Sequence, residues 1–461
     1  MPIKSEDKTH MPMLDPVERR RLFHEVNRGY DAPRARFEGQ RCLECQEPAC
    51  EKGCPVLVPI RKMARLCSEG RWEDALRAVK AVNSLPAVCG RVCPQENQCE
   101  EVCHLGTKFQ PVGIGFLERF LADWEIENGR IREDLPEPRP EKVAIVGSGP
   151  AGLTAAGDLA RLGYGVKVFE ALHASGGVLR YGIPEFRLPN SVLDFEINGL
   201  KRFGVEIECN VVVGRTVTLD ELLEEYAAVF LGTGAGLPSF LGIPGENFTG
   251  VYSSNEFLTR VNLMHGYRFP EYDTPARAGR RTVVVGAGNV AMDSVRSALR
   301  LGADDAIIVY RRTIREMTAR IEEYEHAVEE GVEFNWLTTP VRIFGDRRGR
   351  VTGLELEKMK LGEPDASGRA RPVPTGELYT MDCDAFVVAI GTSPNPLIAA
   401  ANPELKTESW GGLIVDEETG ETSKDRVYAA GDIVTGSATV IEAAGGGKQV
   451  AAAIHKRISG E

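Results

Sequence analysis

Eight of the eleven cysteines in this 461-residue chain fall in two short runs, RCLECQEPACEKGCP at 41–55 and VCGRVCPQENQCEEVC at 88–103. The other three, Cys67, Cys209 and Cys383, are scattered, as core cysteines usually are. Clustered thiols form disulfides, ligate a metal ion or hold an iron–sulfur cluster. The two runs therefore mark a candidate redox or metal site, whose cysteines are Cys42, Cys45, Cys50, Cys54, Cys89, Cys93, Cys99 and Cys103.

The cellular compartment bears on which of these three roles the clustered cysteines have. The start of the chain, MPIKSEDKTHMPML, has no apolar stretch after a basic region, as a secretory signal would. The RRR at 19–21 precedes LFHEVNRGYD, which is not apolar, and no apolar run approaches the ~20 residues of a membrane helix. We therefore expect a cytoplasmic protein without membrane insertion, and disulfides are rare in that compartment.

The spacing of the first run bears on the choice between zinc and an iron–sulfur cluster. Structural zinc usually pairs two short C-x2–4-C elements into each tetrahedral site. The pattern C-x2-C-x4-C-x3-C-P at 42–55 is instead similar to a ferredoxin run, in which three cysteines bind one cluster and the fourth reaches a second. The pattern favours iron–sulfur clusters, with zinc and disulfides as the alternatives.

A glycine-rich turn, GSGPAG at 147–152, follows the apolar run VAIV and precedes LTAAGDLARLG, which has a helical pattern. Gly147 permits the tight turn, Gly149 lets backbone amides approach a pyrophosphate, and Gly152 lets the helix pack closely on the strand. The phosphate would lie at the helix N-terminus. The next predicted strand ends in Glu170, whose carboxylate would accept hydrogen bonds from a ribose. The alternative is a tight turn followed by a surface glutamate.

A second turn, GAGNVA, repeats the pattern with Gly286, Gly288 and Ala291. Its following strand ends in Arg311 and Arg312 rather than in an acid. Guanidinium groups at this position would hold a 2′-phosphate that a carboxylate would repel. We therefore predict FAD at the first turn and NADP(H), rather than NAD(H), at the second. The alternative for the arginines is a solvated basic pair.

A third element lies near the C-terminus, where VYAAGD ends in Gly431 and Asp432 and the small-residue stretch ATVIEAAGGGKQVA follows. An acid that ends a strand before such a helix suits closure over the ribityl and pyrophosphate groups of a flavin. Taken alone, the element is equally a strand end with a polar cap.

The elements that must position these motifs form a helical part followed by alternating strands and helices. Apolar residues recur at helical spacing over residues 12–133, in VERRRLFHEV, IRKMARLCSEG, WEDALRAVKAV and GFLERFLADWEIENG. The acidic, proline-containing REDLPEPRPEK predicts a linker. Beyond it, the strands VFLGTGA and VVAIGTSP end alike, which indicates two related halves. Strands opened by glycine turns and alternating with helices predict an α/β protein with parallel sheets.

Length and composition agree with a multidomain globular protein. The chain is 43% hydrophobic and 26% charged, so a large core is available. Its net charge of −12 argues against a nucleic-acid partner. We expect a helical domain with two clusters at 1–137, an FAD-binding domain in two segments at 138–250 and 396–461, and an NADP(H)-binding domain at 251–395.

The order of these motifs, together with GGVLRYGIPEFRLP, YRR and AIGTSPNP, resembles the glutamate synthase small-subunit family over nearly the whole chain. Relatives include the N-terminal half of dihydropyrimidine dehydrogenase and the large subunit of electron-bifurcating, ferredoxin-dependent transhydrogenases. The start, MPMLDPVERRRLFHEVNRGY, most resembles the transhydrogenase branch. The similarity begins at Met11, so we expect residues 1–10 to be a disordered extension. One departure is Thr318, where the resemblance implies a proline.

The resemblance implies nucleotide-binding domains of the disulfide-reductase type and a wider set of cofactor contacts. The residues added to those of the three motifs are Pro150, Ala151, Gly177, Arg180, Gly234, Asn289, Val290, Gly391 and Thr439.

The resemblance also implies a ligand set for two [4Fe–4S] clusters. Cys89 is the obvious eighth ligand by chemistry, but relatives place a Glu or Gln at the position of Glu118 as an oxygen ligand. Such a ligand would lower the cluster potential. We favour Glu118, whose alternative role is that of a helix-surface glutamate. The remaining ligands would be Cys42, Cys45, Cys50 and Cys103 for one cluster and Cys54, Cys93 and Cys99 for the other.

These parts imply an enzyme subunit. NADP(H) would exchange hydride with FAD, and electrons would pass singly through the two clusters to or from a partner subunit, as in an electron-bifurcating complex. No nucleophile–base pair stands out, so we name no catalytic side chain. The alternatives are the small subunit of an NADPH-dependent glutamate synthase, a stand-alone NADPH-dependent reductase of a small molecule, and a non-catalytic scaffold.

Overall fold

A computed structural model of the chain describes residues 5–364 and 368–460. Its N-terminal part is helical, and loops between the helices carry most of the clustered cysteines. The described helices here are α1 (Pro16–Arg19), α2 (Ala32–Gln40), α3 (Ala49–Lys52), α4 (Ile60–Glu69), α5 (Trp72–Lys80), α6 (Pro86–Val92) and α7 (Ile114–Asn128), with 3₁₀ turns at Gln95–Asn97 and His104–Thr107.

Amphipathic spacing explains the longer of these helices. In α4 the buried residues Ile60, Met63 and Ala64 recur at three- and four-residue spacing. The helix ends at Glu69 and is capped by Gly70, which has φ +76°. Helix α7 buries Leu117 and Leu121 one turn apart. These faces enclose the core beneath the cysteine loops.

The helix predicted over VERRRLFHEV forms only in its first turn, so this part of the prediction is wrong. After Arg19 the chain leaves the helix because tertiary contacts use its groups. The ring of Phe23 stacks on Tyr267 at 4.0 Å between centroids, and the Leu22 carbonyl accepts a hydrogen bond from Arg300 Nε (2.9 Å). Tertiary contacts here override local propensity.

The expected disordered extension is also wrong for residues 5–10, while residues 1–4 lie outside the described residues. The Thr9 N–H donates to the Glu38 carboxylate (2.8 Å), and the Lys8 N–H donates to Gln110 Oε1 (2.8 Å). The Gln110 N–H donates in turn to the Glu6 carbonyl (3.0 Å). This segment is therefore fastened to the helical part.

The first nucleotide-binding part is a parallel five-stranded sheet in the order β15-β4-β1-β2-β3. Its last strand in the chain comes from the C-terminal segment, which pairs with β4. The elements are β1 (Lys142–Val146), α8 (Pro150–Arg161), β2 (Gly165–Glu170), α9 (Val178–Tyr181), α10 (Asn190–Lys201), β3 (Glu206–Cys209), α11 (Leu219–Glu225), β4 (Ala228–Leu231), β15 (Val427–Ala429), α16 (Asp432–Thr435) and α17 (Val440–Ser459).

The second nucleotide-binding part is an equivalent parallel sheet in the order β6-β13-β7-β8-β9. The strands β4 and β13, which carry the repeated sequence pattern, occupy matching places beside β1 and β7. The elements are β6 (Val251–Ser253), α12 (Ser254–Val261), β7 (Arg281–Val285), α13 (Asn289–Arg300), β8 (Asp305–Tyr310), α14 (Ile321–Glu329), β9 (Glu333–Trp336) and β13 (Ala385–Val388), with 3₁₀ turns at Gly266–Arg268 and Ile314–Glu316.

Two smaller sheets complete the fold. An antiparallel sheet of three strands, β10 (Thr338–Gly345), β11 (Val351–Pro364) and β12 (Ala370–Asp382), extends from the second part and ends in the long β11–β12 hairpin. A two-stranded sheet of β5 (Leu237–Pro238) and β14 (Thr392–Ser393) lies where the chain passes between the two parts, and α15 (Leu397–Ala401) follows it. None of the described helices is both long enough and apolar enough to cross a membrane.

Candidate functional site

The first glycine turn joins β1 to α8 and leaves an open space over its second glycine. Gly147 has φ +100°, and a Cβ there would lie 2.5 Å from the Gly232 carbonyl oxygen. A Cβ at Gly152 would collide with the Gly147 carbonyl, so helix and strand approach closely. No atom of the described residues lies within 4 Å of the Cβ position at Gly149, the N-cap of α8. The open helix N-terminus, with its unpaired N–H groups, fits an anionic pyrophosphate.

Glu170 ends β2 and holds the glycine turn in place. Its Oε2 accepts hydrogen bonds from the Ser148 N–H (3.0 Å) and hydroxyl (2.5 Å), and its Oε1 accepts one from the Leu172 N–H (2.8 Å). The residue is 5% exposed. A carboxylate oxygen has two lone pairs, so Oε1 can accept a second hydrogen bond, and the predicted bond from a ribose hydroxyl stays a prediction.

The segment before α9 lies against the same turn. The Ser148 hydroxyl accepts a hydrogen bond from the Gly176 N–H (2.8 Å). A Cβ at Gly177 would lie 2.8 Å from the Cα of Gly149. Gly177 therefore lies beside the second glycine of the turn, and its contact with a cofactor stays a prediction.

Arg180, also predicted to contact a cofactor, is engaged with the protein. It donates to the Ser175 carbonyl (2.6 Å), to Asn190 Oδ1 (3.2 Å) and to the Asp194 carboxylate. These bonds brace the segment that leads from α9 into α10.

The C-terminal element closes over the first turn from the other side. Gly431 has φ +76°, and a Cβ there would lie 3.1 Å from that of Ala151. Burial raises the pKa of Asp432 to about 6, against the opposing effect of a hydrogen bond from the Ala438 N–H (3.3 Å). Near neutral pH this carboxyl group is therefore mostly ionised and accepts hydrogen bonds.

Tyr181 is a residue of this site that the motifs did not reveal. Burial, together with the charges of Asp432 and Glu170, raises its pKa to about 12. The phenol thus lies near both predicted acids and stays protonated. The signal would have been its place in GGVLRYGIPEF, beside the glycines that border the turn.

Two further predicted glycines leave space at the carboxyl edges of the sheets. Gly234 follows β4 with φ +68° and Gly391 follows β13 with φ +113°. In the part of the chain that the structure describes, no atom lies within 4 Å of either Cβ position. Ligands of doubly wound folds bind at this edge. The open positions fit that rule.

The second glycine turn reproduces the first. Gly286 has φ +129°, and a Cβ there would collide with the Ala389 carbonyl at the end of β13. Gly288 is the N-cap of α13, and Ala291 is fully buried in its first turn. The helix N-terminus is again presented at the sheet edge.

The residues after Gly288 meet the loop that precedes α14. Asn289 Oδ1 accepts a hydrogen bond from the Arg320 N–H (2.9 Å), whereas Val290 is 43% exposed. Thr318, where a proline was expected, donates its N–H to the Ala287 carbonyl (3.2 Å). A proline has no N–H to make this bond.

The two arginines that end β8 differ in environment. Arg311 is exposed. Arg312 is 5% exposed, and its Nε donates to the Ala370 carbonyl of the hairpin strand β12 (2.8 Å). The alternative of a solvated basic pair therefore does not describe Arg312, whose guanidinium fastens the hairpin, and a contact of either arginine with a 2′-phosphate stays a prediction. Both line one cleft between β8 and the β11–β12 hairpin.

The first group of cysteines surrounds one small cavity. Its lining includes Arg61, His104 and the four residues predicted to ligate one cluster, Cys42, Cys45, Cys50 and Cys103. The four thiols surround a space rather than a point, and among the described residues no three His, Cys, Asp or Glu side chains are placed to hold a single metal ion. His104 Nδ1 lies 3.4 Å from Cys45 Sγ.

The electrostatics of this group favour a cationic occupant. Burial, with Cys103 as a neighbour, raises the pKa of Cys42 to about 11 and that of Cys50 to about 12. Iron–sulfur clusters are bound by thiolates, so ionising these buried thiols together requires a compensating positive charge. The iron core of a cluster supplies it, and the donor set therefore fits.

The second group of cysteines packs between α6 and α7. A Cβ at Gly90 would lie 2.5 Å from the Arg119 nitrogen, so the two helices touch and bring Glu118 to the cysteines. Burial raises the pKa of Cys54 to about 11, and it raises that of Cys99 well above the ordinary value. For Cys93 the same direction comes from a hydrogen bond with Cys89 and from burial.

Both candidates for the eighth ligand lie in this second group. Burial raises the pKa of Glu118 to about 8, although a hydrogen bond from Asn83 Nδ2 to its Oε1 (2.7 Å) opposes the shift. The Oδ1 of the same Asn83 lies 3.8 Å from Cys89 Sγ. Asn83 thus contacts both candidates, and its place in the loop before α6 gave no sequence signal for this role.

The second cysteine group adjoins the first nucleotide-binding part. Gln98 Nε2, next to Cys99, donates to the hydroxyl of Thr439, the N-cap of α17 (3.3 Å). The Pro55 carbonyl, next to Cys54, lies 3.0 Å from the Cβ position of Gly445 in α17. The predicted flavin element and the second cysteine group are therefore direct neighbours.

Two family descriptions match the chain. Residues 19–130 match the family described as dihydropyrimidine dehydrogenase domain II, 4Fe-4S cluster. Residues 141–454, more than half of the chain, match the family described as pyridine nucleotide-disulphide oxidoreductase. The two matches divide the chain at the predicted linker.

Similar proteins share most of this length. The glutamate synthase [NADPH] small chain of Azospirillum brasilense is 37% identical over 453 residues, covering 96% of this chain and 94% of that one. The NADP(+)-dependent formate dehydrogenase subunit beta of Moorella thermoacetica is 38% identical over 430 residues, 88% of this chain and 59% of that one. The solved structure of FprA, a Mycobacterium tuberculosis oxidoreductase, matches 70% of this chain and 85% of its own with 22% identity and a TM-score of 0.60, which is a likeness of fold.

Proposed function

Because this chain belongs to the pyridine nucleotide-disulphide oxidoreductases, and among them to the glutamate synthase small-chain family, we propose that it exchanges hydride between NADP(H) and FAD. It then passes single electrons through two [4Fe–4S] clusters to or from a partner subunit. The observation that carries this proposal is the contact of Gln98 with Thr439, which makes the second cysteine group a neighbour of the flavin element. The electron order is then flavin, second cluster, first cluster.

The assignment of parts follows the motifs. We propose the helical domain at 1–137, the FAD-binding domain at 138–250 and 396–461, and the NADP(H)-binding domain at 251–395. The origin of β15 in the C-terminal segment supports the two-segment domain. We also propose Glu118 over Cys89 as the eighth cluster ligand, on the family resemblance. Thiolate ligands fit a reducing cytoplasm.

The bound cofactors supply hydride transfer and single-electron transfer. The chain's own residues bind and orient them. The two helix N-termini receive the pyrophosphates, and a buried ion pair links the two nucleotide-binding parts. In that pair Arg187 Nη1 donates to Asp293 Oδ1 (2.9 Å) and Oδ2 (2.7 Å). Asp293 lies on α13, the helix that starts at the second glycine turn, so the pair fixes this helix relative to the flavin part.

An anaerobic titration tests the hydride step. NADPH should bleach the flavin absorbance at concentrations at least tenfold below those that NADH requires, because a charge-assisted contact to the 2′-phosphate is worth roughly 1.5–3 kcal/mol. Equal potency of the two nucleotides would contradict NADP(H) selectivity. A flavin that neither nucleotide bleaches would overturn the proposed function.

Two versions of this function differ in the partner subunit. The resemblance of residues 11–30 supports an electron-bifurcating, transhydrogenase-like complex. The coverage of the Azospirillum small chain supports a glutamate synthase-like complex instead. Isolation of the native complex separates them: bifurcation requires NADPH oxidation that depends on ferredoxin and NAD+ together, whereas a glutamate synthase requires glutamine and 2-oxoglutarate. A chain that turns over alone on a small molecule would contradict both.

A further inference from the structure

The cleft beside β8 contains a basic residue that no motif assigned. The cleft has a volume of about 610 Å³, within the ~300–1,000 Å³ of ligand pockets. Arg311 and Arg312 line it from the end of β8, and Arg371 lines it from strand β12 of the hairpin. Glu363 lines it from β11. Among the described lining residues the guanidinium groups outnumber the carboxylates, which suits an anionic ligand such as a phosphate.

The hairpin wall of the cleft is fastened to β8. Arg312 Nε donates to the Ala370 carbonyl (2.8 Å), and the Arg312 carbonyl accepts from the Leu337 N–H (3.1 Å). The Leu337 carbonyl accepts in turn from the Met359 N–H on β11 (2.7 Å). Arg312 is therefore a positioning residue, since it holds the strand that carries Arg371 against the end of β8.

The backbone around Arg371 is constrained as well. Arg371 directly follows Ala370, the residue that Arg312 holds, and it precedes Pro372. A residue before proline is restricted to extended conformations. Arg371 itself is exposed, as is Arg311 on the opposite wall. Arg371 on β12 and Arg311, directly after β8, thus line one open cleft.

We propose that Arg371, together with Arg311, binds the 2′-phosphate of NADP(H). This inference rests on the proposed function and names a specificity-determining residue for it. A phosphate offers several acceptor oxygens, and an arginine fork binds two of them at once. One fork on each wall would clamp the phosphate between the β8 end and the hairpin, and NAD(H), which lacks this group, would gain nothing from Arg371.

Calorimetric binding of 2′,5′-ADP and 5′-AMP to the anaerobic holoprotein tests the proposal, because these probes differ only in the 2′-phosphate. Arg371→Ala should weaken 2′,5′-ADP binding about tenfold, which is about 1.4 kcal/mol, and should leave 5′-AMP within twofold. Arg371→Lys should fall between the two, since it keeps the charge but loses the fork. Glu363→Gln should strengthen 2′,5′-ADP binding, because it removes the carboxylate that opposes the phosphate.

The matched control is Arg342→Ala on β10 of the same sheet. The Arg342 side chain is 56% exposed, and its Nε lies 3.8 Å from Glu355 outside the cleft. This variant should bind both probes within twofold of wild type. The role of Arg371 is overturned if Arg371→Ala binds 2′,5′-ADP within twofold of wild type. It is also overturned if this variant weakens the binding of both probes equally.

The wild-type protein and the Arg311→Ala variant separate a failure of the role of Arg371 from a failure of the proposed function. Wild-type protein that binds 2′,5′-ADP no more tightly than 5′-AMP overturns NADP(H) selectivity and the role of Arg371 with it. If the wild type binds selectively, and Arg311→Ala abolishes this selectivity while Arg371→Ala preserves it, NADP(H) selectivity stands. The role of the hairpin in binding the 2′-phosphate is then rejected.

Discussion

Glu330 connects the N-terminal segment to the helix that starts at the second glycine turn. Glu330 is fully buried. Oε1 accepts hydrogen bonds from Arg19 Nε (3.0 Å), Arg296 Nη2 (2.7 Å) and Arg300 Nη2 (2.9 Å), and Oε2 accepts from Arg296 Nε (3.0 Å) and Arg300 Nη1 (2.7 Å). The ring of Phe186, from the first nucleotide-binding part, lies beneath two of these guanidinium groups. One carboxylate therefore holds three parts of the fold together.

Glu330→Gln should lower the free energy of unfolding substantially. The amide offers one acceptor oxygen to five donors and leaves three guanidinium groups without their shared negative charge. Removing one partner of a buried ion pair costs about 3–5 kcal/mol. With a urea slope of about 3 kcal/mol per molar or somewhat more for a chain of this size, the unfolding midpoint should fall by about 1 M.

The pH dependence gives a second readout with a fixed sign. Burial opposes ionisation of Glu330, but the Arg296 and Arg300 guanidinium groups outweigh it and hold its pKa well below the ordinary value. A depressed pKa stabilises the fold above the unfolded-state value of about 4.5, and this stabilisation is lost as the pH falls below it. The difference between wild type and Glu330→Gln should therefore shrink by about 2 kcal/mol between pH 4.5 and pH 3.

The control is an exposed pair of the same chemistry. Glu271 pairs with Arg268, and their side chains are 59% and 44% exposed. Glu271→Gln should change the free energy of unfolding by less than about 1 kcal/mol. The assay is anaerobic equilibrium unfolding in urea, followed by tryptophan fluorescence, for wild type and both variants. A loss in Glu330→Gln no larger than that in Glu271→Gln, or one that does not shrink on acidification, would refute the reasoning.

Two further predictions concern cofactor content. Gly149→Ala should fold normally, since none of the described residues has an atom within 4 Å of its Cβ position. It should nevertheless lose FAD, because the methyl group fills the space over the helix N-terminus, and full flavin occupancy by absorbance would contradict this placement. If Glu118 is a ligand, Cys89→Ser should keep all iron, whereas Glu118→Ala should lose the second cluster or convert it to a three-iron form, with hydride transfer to FAD unchanged. Iron analysis and electron paramagnetic resonance distinguish the two candidate ligands, and the reverse pattern would assign Cys89 as the eighth ligand.

The glycine turns could be predicted from sequence because the constraint is local. At Gly147 the backbone needs a positive φ, and at Gly152 the nearby carbonyl leaves no room for a Cβ. Such requirements restrict the residue type at a fixed spacing, so the motif and its geometry coincide. The parallel sheets followed for the same reason, since each turn must join a strand to a helix.

The rest depends on contacts between residues far apart in the chain. The helix predicted after Arg19 does not form, because the Leu22 carbonyl accepts a hydrogen bond from Arg300 instead. Arg312 lies in the expected place but turns to the hairpin, about 60 residues later in the chain, an interaction that no local pattern encodes. Asn83, which contacts both candidates for the eighth ligand, is an ordinary loop residue by sequence.

The central claim is that one flavin and two four-iron clusters share this chain. Metal and flavin analysis of the anaerobically purified protein tests it most directly, because the two cysteine groups and the first glycine turn each imply a definite content. The account predicts close to one FAD and eight iron atoms per chain. Four iron atoms would leave one cysteine group without a cluster, and stoichiometric zinc with little iron would contradict the claim outright.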